Sequence, residues 1–224
     1  AADRCAAGAV QRNCVAMSRV LIFAYEFTCA PFSGNGVLAR SLVKGLLKCG
    51  AHVIVLCAKP AAESNDNHIA VPEITEADAQ RLSVFFVQLP PSALWRRLDR
   101  SAPWENYADG CANFAEKARN WLPTAVLPID WHGAAAHRVL ARAAWPATRA
   151  PPVVYCNFRV YASGDAADAE WLNAKEREAL RGATIVVALS AKDRASLAAL
   201  LAPPPEAAPS EAPPPPTAPP PIEL

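Results

Sequence analysis

Three short stretches carry the side chains that could do chemistry. Asp130-Trp131-His132-Gly133 puts a histidine, a carboxylate and a large aromatic within four positions. A histidine there could act as a catalytic hydrogen-bond donor to a hydroxyl or phosphate of a ligand. The same four residues also read as a helix start, with Asp130 as N-cap, Trp131 packed and His132 incidental. Tyr155-Cys156-Asn157-Phe158-Arg159-Val160-Tyr161 sets an amide, a guanidinium and a phenol among aromatic rings. Arg159 suits a phosphate or carboxylate, and the faces of aromatics such as Tyr161 suit sugar rings. Its plainer reading is a polar rim around a strand end. The third stretch runs from Glu26 to Gly34-Asn35-Gly36. Its glycines either let backbone approach a ligand at a helix N-terminus or merely shape a turn.

The elements that must hold these stretches follow from periodicity. Residues 20–25 are apolar and rich in branched and aromatic side chains, as in a strand buried on both faces. From Val37 the period changes to that of a helix. Leu38, Leu42 and Leu46 form its stripe, Ala39 and Val43 lie beside it, and Gly50 fits a left-handed C-cap. Residues 52–57 are the second strand, so 19–57 read as a βαβ unit with a right-handed crossover. A long excursion over 59–81 carries a short helix near 75–81. Further strands are expected at 83–89, 125–129, 153–158 and 184–189, and helices at 107–121, 131–145, 168–181 and 191–201. The aromatic segment 95–106 shows no period. Asp130 is expected to cap the helix after strand four, and Ser190 with Asp193 makes a capping box for the last.

Strict β/α alternation predicts an α/β fold, a doubly wound parallel six-stranded Rossmann-like sheet in the order 3-2-1-4-5-6 with helices on both faces. Ligands then bind at the carboxyl ends of the strands, which selects the loops 26–36, 130–133, 157–164 and 190–192. His132 is expected to point into that crevice and to take no part in the core.

Composition bounds the rest. Lys plus Arg is 22 and Asp plus Glu 21, a net charge of +1 over 224 residues, which argues against a dominant nucleic-acid or membrane-surface role. Seven cysteines, an odd number without C-x-x-C, fit a reducing interior such as the cytoplasm. No run approaches the roughly 20 apolar residues of a membrane span. Residues 1–18 read as a disordered extension. Met17 is the one methionine and could be a natural start, while a transit peptide for organellar import is the other reading of 1–16. Residues 19–202 form the expected domain. Residues 203–224 hold eleven of the 22 prolines and read as a mobile, polyproline-like tail, a linker or a ligand for a proline-binding domain. No zinc spacing, Ser-His-Asp order or phosphate-loop lysine motif occurs, and no metal or cofactor is expected. Gly34-Asn35-Gly36-Val37-Leu38-Ala39 fits G-x-G-x-x-A, so a nicotinamide reading stays open, with Lys59 to meet a 2′-phosphate.

Taken in order, these stretches resemble the N-terminal half of family-4-like glycosyltransferases of the GT-B fold. Residues 20–26 followed by Gly34-Asn35-Gly36 resemble their opening strand and loop. Asp130-Trp131-His132-Gly133 is similar to their "DWH" element, found also in glycogen and starch synthases. Asn157 to Tyr161 resembles the next strand end, and 176–190 resembles "E…A…VVALS". The resemblance implies a nucleotide-diphosphate-sugar donor, a hydroxyl acceptor and retention at the anomeric carbon. It makes His132 the catalytic candidate and Glu26, Gly34, Asn35, Gly36, Asp130, Trp131, Asn157, Arg159 and Tyr161 the substrate-binding ones. It also implies a second, nucleotide-holding domain, for which 202–224 offer no counterpart, and Cys156 stands where the synthases often carry histidine. The 224 residues alone are therefore not expected to transfer sugar. The other readings are a non-catalytic binding or scaffold module on the same fold and an NADP-binding oxidoreductase.

Overall fold

Strand β1 (Arg19–Ala24) is apolar at nearly every position, and its residues divide by parity between two buried clusters. Leu21 and Phe23 face one side of the sheet, and Val20, Ile22 and Ala24 face the other. Such two-sided burial suits only a central strand covered by helices above and below. The computed structural model describes residues 18–29, 33–61, 71, 74–91, 103–158 and 166–202.

Helix α1 (Gly34–Lys48) follows, with Ser33 as its N-cap, accepting from the Asn35 N–H. Gly34 and Gly36 thus lie in its first turn, three residues earlier than the periodicity suggested. Ala39, Val43 and Leu47 are its buried seam, and the predicted Leu38, Leu42 and Leu46 flank that seam. Two neighbouring rows of four-residue spacing look alike in sequence, and contact with the sheet selects one. Gly50 takes φ 85, the left-handed conformation that the helix end requires.

Strands β2 (His52–Lys59), β3 (Leu82–Gln88) and β4 (Ala125–Pro128) complete a parallel sheet in the order β3-β2-β1-β4. The short helix α2 (Glu76–Ala79), capped by Thr75, precedes β3. Strands β5 (Val154–Asn157) and β6 (Ile185–Ala188) form a separate parallel pair. The expected six-stranded ladder is thus corrected to four strands plus two. β5 meets β4 only through the isolated bridges Val126–Val153 and Ile129–Cys156. Proline is the physical reason. The Val126 N–H donates to Pro152 O toward β5, and the Ile129 N–H donates to Phe23 O toward β1. Pro128, two residues beyond Val126, faces β5 and has no N–H to continue that ladder.

The expected helix over 107–121 is divided. Helix α3 (Pro103–Cys111) starts inside the segment that showed no period, with proline in its first turn, and a 3-10 turn at Ala112–Phe114 leads into α4 (Ala115–Trp121). Helix α5 (Asp130–Ala144) leans on β1 and β4, and helices α6 (Ala166–Arg181) and α7 (Ala191–Leu201) follow. The helical residues of the Leu21 cluster come from α3, α4, α5, α6 and α7, whereas α1 covers the Val20 face. The Ser190 hydroxyl caps α7 by accepting from the Asp193 N–H, as the capping box predicted. Both terminal segments, 1–17 and 203–224, lie outside the described residues, so the expectations for the extension and the tail do too.

Candidate functional site

At the carboxyl end of β1 the chain bends at Tyr25 and Glu26. The buried Glu26 carboxylate accepts from Ser33 N at 2.9 Å and from Ser33 Oγ at 2.6 Å. Ser33 Oγ in turn accepts from Asn35 N at 3.2 Å. Asn35 then reaches across to α5, where its Nδ2 donates to Asp130 Oδ2 at 2.5 Å, and Asp130 Oδ1 accepts from Phe158 N at 2.7 Å just past β5. A continuous polar chain therefore ties together the ends of β1, β4 and β5 and the start of α1. Within the sheet such groups must be paired, because an unpaired buried polar group costs about 1–3 kcal/mol.

Asp130 does not cap α5. Ile129 holds the N-cap position with no side-chain bond, and Asp130 sits at φ 52 with its carboxylate fully buried. Aspartate tolerates that left-handed conformation better than most side chains. The expected cap gives way because Asn35 and Phe158 N claim both carboxylate oxygens.

Gly133 allows α5 its position. A Cβ there would lie 2.7 Å from the Phe23 carbonyl oxygen, which already accepts the Ile129 N–H. The close approach sets Trp131 and His132 against the end of β1.

His132 departs from the expectation of a ring in an open crevice. It is 1% exposed, 5.6 Å from the Tyr25 ring and 5.2 Å from the Trp131 ring. Neither ring nitrogen has a hydrogen-bond partner among the described residues. Burial lowers its pKa to about 3, so the imidazole is neutral near pH 7. A neutral ring carries one donor and one acceptor, and neither is met by a described residue. Trp131 meets Trp104 at 5.0 Å and Trp171 at 5.3 Å, both edge to face, and Lys175 Nζ stands 4.9 Å from the Trp104 ring. Trp131 is thus part of an aromatic wall behind His132.

Asn157, also buried, donates through Nδ2 to Tyr155 Oη at 3.2 Å and to Glu176 Oε1 at 3.3 Å. Beside it the Cys156 thiol is pushed up to about 12, first by burial and then by Asp130, which keeps it a neutral packing group. Gly36 is buried in the first turn of α1 and Gly34 is exposed. Arg159 and Tyr161 lie outside the described residues.

Lys59, held in reserve for a 2′-phosphate, is 5% exposed with Nζ 5.6 Å over the Phe86 ring. That places its charge against an aromatic face.

Of the sequence-derived candidates, Glu26, Asn35, Asp130, Trp131, His132 and Asn157 come together where the carboxyl ends of β1, β4 and β5 adjoin. Sequence reasoning missed Ser33 as the link between Glu26 and Asn35; its place before a glycine-opened helix was the available signal. It missed Trp104 and Trp171 as partners of Trp131, since tryptophans brought together from three helices leave no local trace.

No curated protein sequence matches the chain. Among solved structures, a sucrose-phosphate synthase from Thermosynechococcus elongatus is similar in fold, with TM-score 0.59 and 14% identity over 81% of this chain. The chain spans 45% of that protein's length. The profile of the glycosyl transferase 4-like domain matches residues 33–209, a span that runs from the Ser33 cap past the end of α7. A match over most of the sequence, on a parallel α/β fold of the GT-B type, shows that the chain belongs to the glycosyl transferase 4-like family.

Proposed function

We propose that residues 19–202 form the acceptor-side half of a glycosyltransferase that moves a sugar from a nucleotide-diphosphate donor to a hydroxyl acceptor with retention. The observation that carries this reading is convergence. Asn35, Asp130, His132 and Asn157 all fall within the matched span and meet where the carboxyl ends of β1 and β4 adjoin that of β5. Open α/β sheets bind ligands at that end.

The residues divide the work. Asp130, with Asn35 and Glu26, fixes the loops against one another and leaves no freedom in the floor of the site. Asn157 is held by Tyr155 and Glu176. His132 offers an uncharged nitrogen to an acceptor hydroxyl or to the sugar in transit. A neutral donor in a dry wall stabilises developing charge without drawing a counter-ion. Arg159 and Tyr161 are proposed as further substrate contacts. The leaving diphosphate needs cations and a second wall that excludes water, and a second nucleotide-holding domain would supply them.

The test is to join residues 19–202 to the C-terminal half of the sucrose-phosphate synthase and to follow release of nucleoside diphosphate from UDP- and GDP-sugars. Acceptor-dependent release that the unfused chain lacks supports the proposal. A folded fusion that binds neither donor nor acceptor overturns it.

A further inference from the structure

Helix α5 joins the two ends of the sheet. Its first turn carries Asp130 and His132 at the carboxyl end, and its 15 residues bring the chain back about 20 Å to the amino ends of β4 and β5. There a cavity of about 550 Å³ opens between the end of α4, the end of α5 and the segment leading into β5. Three arginines line it, each from a different segment. Arg119 lies in the last turn of α4, Arg142 in the last turn of α5 and Arg149 in the 3-10 turn Ala147–Arg149. No acidic side chain among the described residues lines it. A helix end accounts for one cation. Arg119 fills that role, since its Nε and Nη2 donate to Ala144 O and Ala143 O at 3.0 and 2.9 Å. The guanidinium groups of Arg142 and Arg149 make no hydrogen bond or ion pair among the described residues. Arg138, one turn earlier on α5, holds Glu178 at 2.9 Å. The other walls are apolar, with Leu122, Trp145, Pro123, Pro146 and Pro151 among them. Leu122 ends α4 at φ 54 with 59% of its surface exposed, where glycine or asparagine is the unstrained choice.

We infer that this cavity binds a soluble phosphate monoester with a flat apolar body, an aryl phosphate in chemical class, at the end of the sheet opposite the candidate site. Its volume is that of a small-molecule site, and apolar walls with a few placed charges are the makeup of such sites. Guanidinium groups suit phosphate because a planar fork meets two oxygens at once. Two of the five donors of Arg119 hold α5, which orients the group and leaves the others for a ligand. Three like charges around one cavity repel one another, and a dianion among them turns that repulsion into attraction. The apolar body of the ligand lies against Leu122 and Trp145. Other occupants fit less well. Residues 1–17 join β1 close by, where the Arg19 N–H donates to Thr124 Oγ1, but they carry two arginines against one aspartate. The second domain that the proposed function calls for faces the carboxyl ends, where His132 lies, and so does not claim this end of the sheet.

The experiment is isothermal titration calorimetry on the full chain with phenyl phosphate and inorganic phosphate, with thermal melts to check folding. Phenyl phosphate is expected to bind about tenfold tighter than inorganic phosphate, since its ring adds apolar contact. Arg142→Gln with Arg149→Gln changes two exposed side chains and is expected to weaken phenyl phosphate by about tenfold or more. If that double variant fails to fold, Arg149→Gln alone is expected to show a smaller loss in the same direction. Leu122→Asn suits φ 54 and is expected to weaken phenyl phosphate while leaving inorganic phosphate unchanged. No uptake of phenyl phosphate overturns the inference, as does uptake that the arginine variants leave unchanged. Inorganic phosphate bound as tightly as the ester overturns it too. Residues 203–224 carry three glutamates and no lysine or arginine. Uptake that appears only with Glu206→Gln, Glu211→Gln and Glu223→Gln together gives the cavity to that stretch and overturns the inference. Retention on vesicles of phosphatidylcholine with phosphatidic acid, without uptake of phenyl phosphate, gives it to a lipid surface with the same consequence.

Discussion

Asn35 and Asp130, separated by 95 positions in sequence, are joined by a 2.5 Å hydrogen bond in the buried floor of the site. The bond couples the first turn of α1 to the first residue of α5, and Asp130 passes the link on to Phe158 N. Bonds to a carboxylate contribute about 1.5–3 kcal/mol, and removing one partner leaves the other unsatisfied. Asp130→Ala is expected to destabilise the fold by about 2–3 kcal/mol and Asn35→Ala by about 1–2 kcal/mol. The double variant should fall short of their sum by about 1 kcal/mol, measured by urea unfolding. Additive losses would show that the pair does not act as a unit.

Glycine positions give a sharper contrast. Gly133→Ala forces a methyl against the Phe23 carbonyl oxygen, which neither β1 nor α5 can relieve without shifting. A loss of about 1–3 kcal/mol is expected, as for overpacked sites. Gly45, exposed on α1, has open space around an added Cβ, and Gly45→Ala should stabilise by up to about 1 kcal/mol. Chemical unfolding of the two variants side by side checks both signs. A tolerated Gly133→Ala would mean that α5 does not rest on β1 as closely as described.

How much of this was readable in the sequence depended on the range of the forces involved. The six strands were legible by their runs of branched and apolar residues, which in 20–25 also report burial on both faces. The break between β4 and β5 was not, because it hangs on which way the missing N–H of Pro128 points. Asp130 was legible as important but misread. A short-range rule assigns it to a helix cap, whereas partners 95 and 28 residues away take both its oxygens. His132 was legible by its place after strand four. Its burial was not, since Trp131, Tyr25 and a helix drawn in by Gly133 enclose it only once the chain has folded.

Two buried histidines make stability depend on pH. His132 is lowered to about 3 by burial, and His137 to about 4 by burial and then by Arg138. Unfolded, both titrate near 6.5. Below that pH the unfolded chain binds protons that the folded chain refuses. Their contribution is therefore fully present above pH 6.5 and is lost as pH falls toward 4 and then 3. Each proton adds a slope of up to about 1.4 kcal/mol per pH unit. Urea unfolding between pH 7.5 and 4.5 should show the decline, and a His132→Phe variant should flatten it. Parallel curves for the two proteins would exclude His132 as a source.

The same histidine separates structural from chemical roles through the choice of replacement. His132→Ala empties a packed volume between Tyr25 and Trp131 and should destabilise by about 2–4 kcal/mol, as large-to-small core changes do. His132→Phe keeps the ring volume and removes two nitrogens that have no partner among the described residues. Its stability at pH 7 should match or exceed that of the wild type, because no hydrogen bond is lost and unpaired polar atoms leave the interior. In a fusion that turns over a nucleotide sugar, this ring without nitrogens should lower kcat at least a hundredfold, the range in which a positioned donor acts. KM for the donor should change little, since the proposed function puts the nucleotide on the other domain. A His132→Phe fusion that keeps wild-type kcat would remove His132 from the chemistry and leave it as a core residue.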